Sequence, residues 1–193
     1  MKVYKGTERL INKNEEMNIS ISEFWAWNNS DLLNNTLRGA YAEFLVSKAL
    51  DLDVTESRID WDAYDVKFGN IRIEVKSSAY LQAWEQKQLS SIRFSIAPAQ
   101  AWSSKTWYDG NSIRHSDFYI FCLFACKDRS TSNPLNIDQW EFYIVPTQKL
   151  DQECKNQKSI SLPALLKLGA VKCEFDKIKG YIENKAIDLG IMK

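Results

Sequence analysis

The sequence predicts an α/β fold, with a central mixed sheet of four to five strands flanked by helices. Three observations predict it. Apolar residues recur at helical spacing over about 34–50. Four or five strand-like runs then follow between 62 and 146. Helix signals resume after Pro146. The order helix, strands, helices places one sheet between helical layers.

Residues 1–20 read as a loose or helical lead-in. In the first helix Leu37, Tyr41, Phe44 and Leu45 form the apolar stripe, and Asp31 to Asn35 offer N-cap candidates. A second stripe (Thr36, Ala40, Glu43 and Ser47) is small on either side of its carboxylate. With Gly39 it suggests a thin face that lets other backbone approach Glu43. Strands are expected at about 62–68, 71–78 and 91–97, the last ending at Pro98. Residues 98–116 form a long loop with Trp102, Trp107, Tyr108, Gly110, Arg114 and His115. The run 117–126 (DFYIFCLFAC) is almost continuously apolar, as a central strand buried on both faces would be. Trp140, Phe142 and Ile144 alternate in a further strand. A short helix follows Pro146. Ser161, Pro163 and Gly169 give the cap, first turn and stop of another. A last helix over about 174–188 uses Phe175, Ile178, Tyr181 and Ile182. The 193 residues suit a single domain, with 1–20 as lead-in, 34–146 as core helix and sheet, and 147–193 as C-terminal helices.

Composition narrows the chemistry. The chain is 45% hydrophobic and has one histidine, four cysteines and a net charge of zero. No apolar run reaches the roughly 20 residues of a membrane span, and the N-terminus has no signal-peptide core, so a soluble cytoplasmic protein is expected. The cysteines form no Cys-x-x-Cys pair, and Cys122 and Cys126 read as reduced thiols in a strand. One histidine excludes multi-histidine metal sites. His115 also has no Gly-x-Ser-x-Gly elbow to serve. Any chemistry must rest on carboxylates, lysine and a metal ion, and no organic cofactor is expected. Charge is unevenly spread: residues 1–71 hold 8 basic and 12 acidic side chains, and residues 72–129 hold 8 and 5. A metal site beside a phosphate track fits that pattern, as does chance.

The segment WDAYDVKFGNIRIEVKSSAY (61–80) concentrates the signal. Gly69-Asn70 is a two-residue hairpin turn by composition. With that turn Phe68 faces Ile71, Val66 faces Ile73 and Asp65 faces Glu74. The side-chain period of two then puts Tyr64, Val66, Phe68, Ile71, Ile73 and Val75 on one face. Asp65, Lys67, Arg72, Glu74 and Lys76 fall on the other. Turn and hydrophobic pattern agree on one register. Cβ atoms of Asp65 and Glu74 should then lie about 4.5–5.5 Å apart. Two such carboxylates repel, and a hard divalent cation between them removes the repulsion. Mg²⁺ suits one or two carboxylates completed by water and phosphate oxygens. The Lys76 ammonium on the same face can steady a reacting phosphodiester. The competing reading is a solvated charged hairpin, its ion pairs worth ~0–1 kcal/mol each.

Asp65…Glu74-Val75-Lys76 resembles the PD-(D/E)XK signature of restriction-endonuclease-like nucleases, with Tyr64 in place of the proline. Glu43 in RGAYAEFLV resembles the glutamate that an upstream helix often adds. WDAYD, IEVKSSAYLQ, DQWEFYIVPT and QKSISL are also similar to a group of bacterial proteins without an assigned substrate. The resemblance implies a restriction-endonuclease-like fold and Mg²⁺-dependent hydrolysis of DNA, with Mn²⁺ able to substitute, in restriction, defence or repair. It implies that Asp65, Glu74 and the Val75 carbonyl ligate the metal. Glu43 would hold a second metal or a water, and Lys76 would orient or deprotonate the attacking water. Asp62 is a second candidate for the acid, but the register puts it on the apolar face.

Around that centre, Ser78 continues the charged face, and Gln82 either touches nucleic acid or caps a turn. Lys87, Arg93, Lys105, Arg114 and His115 are candidate nucleic-acid contacts, the last three in an aromatic loop suited to DNA. Duplex cleavage often uses two sites, which leaves a homodimer open. The alternatives are an exonuclease or RNA nuclease, and a non-catalytic nucleic-acid-binding module on the same fold.

Overall fold

The computed structural model describes residues 3–55, 64–99 and 112–192. Its described residues form a mixed α/β fold with five helices and a central five-stranded mixed sheet. In chain order the elements are β1 (Arg9–Asn12), β2 (Glu15–Ser20), α1 (Ile21–Asn29), α2 (Asn35–Ala49), β3 (Val66–Phe68), β4 (Ile71–Ala79) and β5 (Arg93–Ser95). Then come β6 (Phe118–Phe124), β7 (Trp140–Pro146), α3 (Thr147–Cys154), β8 (Ser159–Ser161), α4 (Leu162–Lys167), β9 (Val171–Cys173) and α5 (Ile178–Asp188). The sheet order is β3-β4-β6-β7-β9, with β4 and β6 parallel and the other neighbours antiparallel.

The apolar run 118–124 is the middle strand, and every residue in it is buried. Its side chains alternate between two cores. Phe118, Ile120, Cys122 and Phe124 join Ile71, Ile73 and Val75 of β4 under α2 (Ala42, Leu45, Val46) and α5 (Ile178, Ile182, Ala186). Tyr119, Phe121 and Leu123 face the opposite core, with Phe94 of β5, Ile160 of β8, Leu150 of α3 and Leu165 of α4. Burial on both faces requires unbroken apolarity in β6. By contrast β4 reads buried, exposed, buried, then half-buried at Glu74, Lys76, Ser77 and Ser78.

A clamp fixes the register at the start of β4 and β6. Arg72 donates from its backbone N–H and Nε to Asp117 Oδ2 (2.8 and 3.1 Å), and from Nη2 to Oδ1 (2.8 Å). The Asp117 backbone N–H donates to the Arg72 carbonyl (2.7 Å). The fork leaves both carboxylate oxygens engaged, and it holds the Asp117 carboxyl below its ordinary value although burial pushes the other way.

Helix expectations hold with small shifts. Asn34 caps α2 by accepting from the N–H groups of Thr36 and Leu37 (3.0 and 3.4 Å). Ser161 caps α4, and Gly169 beyond it takes φ +87°. The last helical stretch divides into a 3₁₀ turn over Phe175–Lys177 and then α5. Two expectations change. The lead-in is a hairpin, β1–β2, running straight into α1. Its turn residues Lys13 and Asn14 both take positive φ (51° and 68°), as a tight two-residue hairpin demands; asparagine accepts that conformation readily, lysine less so. Nor is the α2 face thinned at Gly39 for a close neighbour among the described residues, none of which lies within 4 Å of where its Cβ would stand.

Candidate active site

The hairpin at 69–70 forms in the expected register: Val66 faces Ile73, Lys67 faces Arg72 and Phe68 faces Ile71. Gly69 takes φ +59° to make the turn. The regular ladder ends at Val66, so β3 is three residues long rather than the expected 62–68. Asp65 is therefore not the direct cross-strand partner of Glu74. A continued ladder would set the Val75 N–H on the Tyr64 carbonyl. Instead the Asp65 backbone N–H donates to the Ile73 carbonyl (3.1 Å), and the Asp65 side chain replaces the missing acceptor. Its Oδ2 accepts from the Val75 N–H at 2.7 Å. Among the described residues no strand pairs with β4 on this edge beyond Ile73, and the Asp65 carboxylate meets the Val75 amide there.

That carboxylate meets the rest of the charged face. Lys76 Nζ lies 2.5 Å from Glu74 Oε1 and 3.9 Å from Asp65 Oδ2, so one ammonium serves both acids. All three side chains are only 20–28% exposed. Burial pulls the Lys76 pKa down, but the charges of Glu74 and Asp65, the hydrogen bond to Glu74 and the more weakly felt Glu43 outweigh it and leave it above the ordinary lysine value. Lys76 is thus held as a cation. Glu43 is half-buried on α2, and its charge is felt at Lys76 more weakly than those of Glu74 and Asp65. Ser78 is half-buried on the same face, two residues past Lys76.

Sequence reasoning missed Tyr119. It pairs with Glu74 across the parallel β4–β6 ladder and is 3% exposed. Burial, then the negative charge of Glu74, pushes its phenol well above the ordinary tyrosine value. Within an apolar run Tyr119 looks like one more core residue; only the register with β4 puts it beside the acids.

The outlying candidates do different work. Gln82 is 7% exposed: its Nε2 donates to the Ala79 carbonyl (2.9 Å) and to Ser90 Oγ (3.2 Å). Arg114 is turned inward. Nε donates to the Ile96 carbonyl (2.8 Å), Nη1 to Asp151 (2.7 Å) and Nη2 to the Lys155 carbonyl (2.9 Å). With these bonds Arg114 ties the 112–116 segment to α3 and the residues after it, and an outside phosphate finds it sealed off. His115 Nε2 lies 3.0 Å from the Ala99 carbonyl. Lys87 and Arg93 are exposed, and Arg93 Nη2 donates to Ser159 Oγ (2.9 Å). Asp62, Lys105, Trp102, Trp107, Tyr108 and Gly110 lie outside the described residues. Cys122 is a buried free thiol.

Among the described residues no cluster of three or more histidine, cysteine, aspartate or glutamate side chains is arranged to hold a metal ion. The protein donors on offer are two carboxylates and neighbouring backbone, all oxygen. That set is too small for a protein-caged ion, but it fits Mg²⁺, which keeps several waters and takes one or two carboxylates.

The family model for bacteriophage T4 endonuclease IV matches residues 2–164, which include every element from β1 to β8. The chain belongs to that endonuclease family. Membership implies a nuclease, and the stretch matched contains Glu43, Asp65, Glu74 and Lys76. No curated protein matches the chain. Among the described residues, no helix of this family member is long and apolar enough to cross a membrane.

Proposed function

We propose that this chain is a Mg²⁺-dependent DNA endonuclease of the PD-(D/E)XK type, hydrolysing phosphodiester bonds with Asp65, Glu74 and Lys76 at its centre. The observation that supports it best is the sharing of the Lys76 ammonium by the half-buried Asp65 and Glu74 carboxylates. A merely solvated charged hairpin has no reason to draw three long or charged side chains to below one-third exposure. Like charges at a partly buried site cost free energy that a bound cation offsets.

Asp65 and Glu74 would hold Mg²⁺ or Mn²⁺, with the Val75 carbonyl beside them and Glu43 at the margin. Such an ion supplies positive charge to the phosphoryl oxygens and makes water more acidic. Lys76 would stabilise negative charge on the phosphate and orient or deprotonate the attacking water. The half-buried Ser78 hydroxyl borders the same track. In-line attack would leave a 5′-phosphate and a 3′-hydroxyl.

The test is incubation of purified protein with supercoiled plasmid and with single-stranded DNA, with Mg²⁺ or Mn²⁺ and with chelator. Nicking or linearisation is expected with either ion, with loss in chelator and in Lys76→Ala. Cutting that survives chelation would exclude the metal, and a fully active Lys76→Ala would remove that residue from the site.

A further inference from the structure

The chain leaving β4 closes on itself between Tyr80 and Ser90. The Gln82 backbone N–H donates to Gln86 Oε1 (2.7 Å), and Gln86 Nε2 donates to Ser90 Oγ (3.0 Å). The Ser90 N–H donates to the Tyr80 carbonyl (3.0 Å). A loop cross-linked in this way holds its shape, and three cations converge on it. Arg38 comes from α2 and is 5% exposed; Nη1 lies 3.5 Å from Gln82 Oε1, and Nη2 donates to Asn35 Oδ1 (2.7 Å). Its Nε has no hydrogen-bond partner. Lys127 Nζ sits 4.7 Å from the centre of the Tyr80 ring. Arg129, exposed, donates from Nη2 to the carbonyls of Gln82 (2.8 Å) and Trp84 (3.1 Å).

Neither guanidinium has a carboxylate partner among the described residues; their acceptors are neutral. Both lean on Gln82, Arg38 on its side chain and Arg129 on its backbone carbonyl. Arg129 is also oriented. Both of its bonds use Nη2, which leaves Nη1 and Nε of a docked, exposed fork for an outside acceptor, and a planar fork matches phosphate.

We propose that Arg129, held in place by the Gln82–Trp84 backbone, contacts a backbone phosphate of DNA flanking the one at the Asp65–Glu74–Lys76 centre; this rests on the endonuclease reading above. Position supports it. From Lys76 to Ala79, β4 advances roughly 10 Å, and the loop that follows it holds the Arg129 fork by the Gln82 and Trp84 carbonyls. Gln82 then serves DNA indirectly: it is buried, and its carbonyl aims the group that reaches out.

The experiment is fluorescence anisotropy of a labelled duplex in chelator, so that nothing is cut, at several salt concentrations between 50 and 200 mM. Wild type is compared with Arg129→Ala, Arg129→Gln and Arg129→Lys. Glutamine keeps an N–H donor for the loop carbonyls but no charge, and lysine keeps the charge. Alanine and glutamine are expected to weaken binding for every duplex tested and to flatten the plot of log K against log salt by about one, with lysine close to wild type. A slope equal to wild type in both uncharged variants overturns the proposal, even if cleavage by wild type is intact. A wild type that neither binds nor cuts DNA overturns the endonuclease reading itself.

Discussion

Lys76 and Arg114 are both cations bonded to carboxylates, yet their surroundings assign them opposite tasks. Arg114 has a side chain 1% exposed, and it satisfies two backbone carbonyls as well as Asp151. Everything it touches belongs to the local fold. Lys76 is 28% exposed and meets two acids that would repel without it. A buried guanidinium whose every nitrogen is engaged pins segments together; a half-buried ammonium shared by two acids is placed where a substrate's charge could replace one of them. Accounting for each donor separates the two more reliably than residue type or loop position.

The comparison breaks most directly at Lys76. Its replacement by alanine should lower Mg²⁺-dependent cleavage by at least about 100-fold, the size expected when a group that stabilises charge in the transition state is removed. The thermal midpoint should stay near wild type; a comparable loss of both would make Lys76 structural.

Arg114→Ala should do the reverse. Removing the guanidinium strands the Ile96 and Lys155 carbonyls, a loss of roughly 2–4 kcal/mol of stability. Little of this comes from the ion pair itself, because Asp151 is 52% exposed and screened by solvent. Urea denaturation gives the stability, and cleavage per folded molecule should remain. A salt slope of DNA binding shallower by one in this variant would return Arg114 to the interface.

The smallest effect is at the Arg72–Asp117 clamp. The folded pKa of Asp117 lies below its ordinary value, so the unfolded chain takes up the proton first as pH falls. The clamp's contribution is therefore complete above the ordinary aspartate pKa and disappears as pH drops through the folded value. Arg72 is 46% exposed, which limits the contribution to about 1 kcal/mol. Asp117→Asn should be destabilised by that amount at pH 7 and converge on wild type in acid. A gap that persists to the lowest pH would assign it to shape rather than charge.

Much of the fold could be read from the chain because its signals are local. The unbroken apolarity of 118–124 marks a strand buried on both sides, and Gly69-Asn70 with alternating neighbours fixes a register. The acids and Lys76 of the candidate centre follow from the same alternation. What escaped reading depends on partners distant in sequence. Nothing in Tyr64-Asp65 announces that the ladder stops there, because the stop is made by the Val75 amide taking a side chain in place of a carbonyl. Gln82 and Arg114 look like surface groups until the acceptors around them are known. Arg129, in a plain polar stretch, is conspicuous only once it is seen to lean on Gln82 and Trp84. The hairpin of 9–20 was hidden because lysine is an unusual residue for its turn.

The bond from the Val75 amide to Asp65 has a practical corollary for anyone preparing a silent version of this protein. Truncating Asp65 to alanine would orphan a main-chain donor next to the sheet, so a dead preparation made that way would confound lost chemistry with a loosened edge. Asparagine at 65 retains an oxygen for the amide and is the cleaner choice there. Position 76, whose side chain accepts no such bond, is the better place to disarm the molecule while keeping its shape for crystallisation with intact DNA.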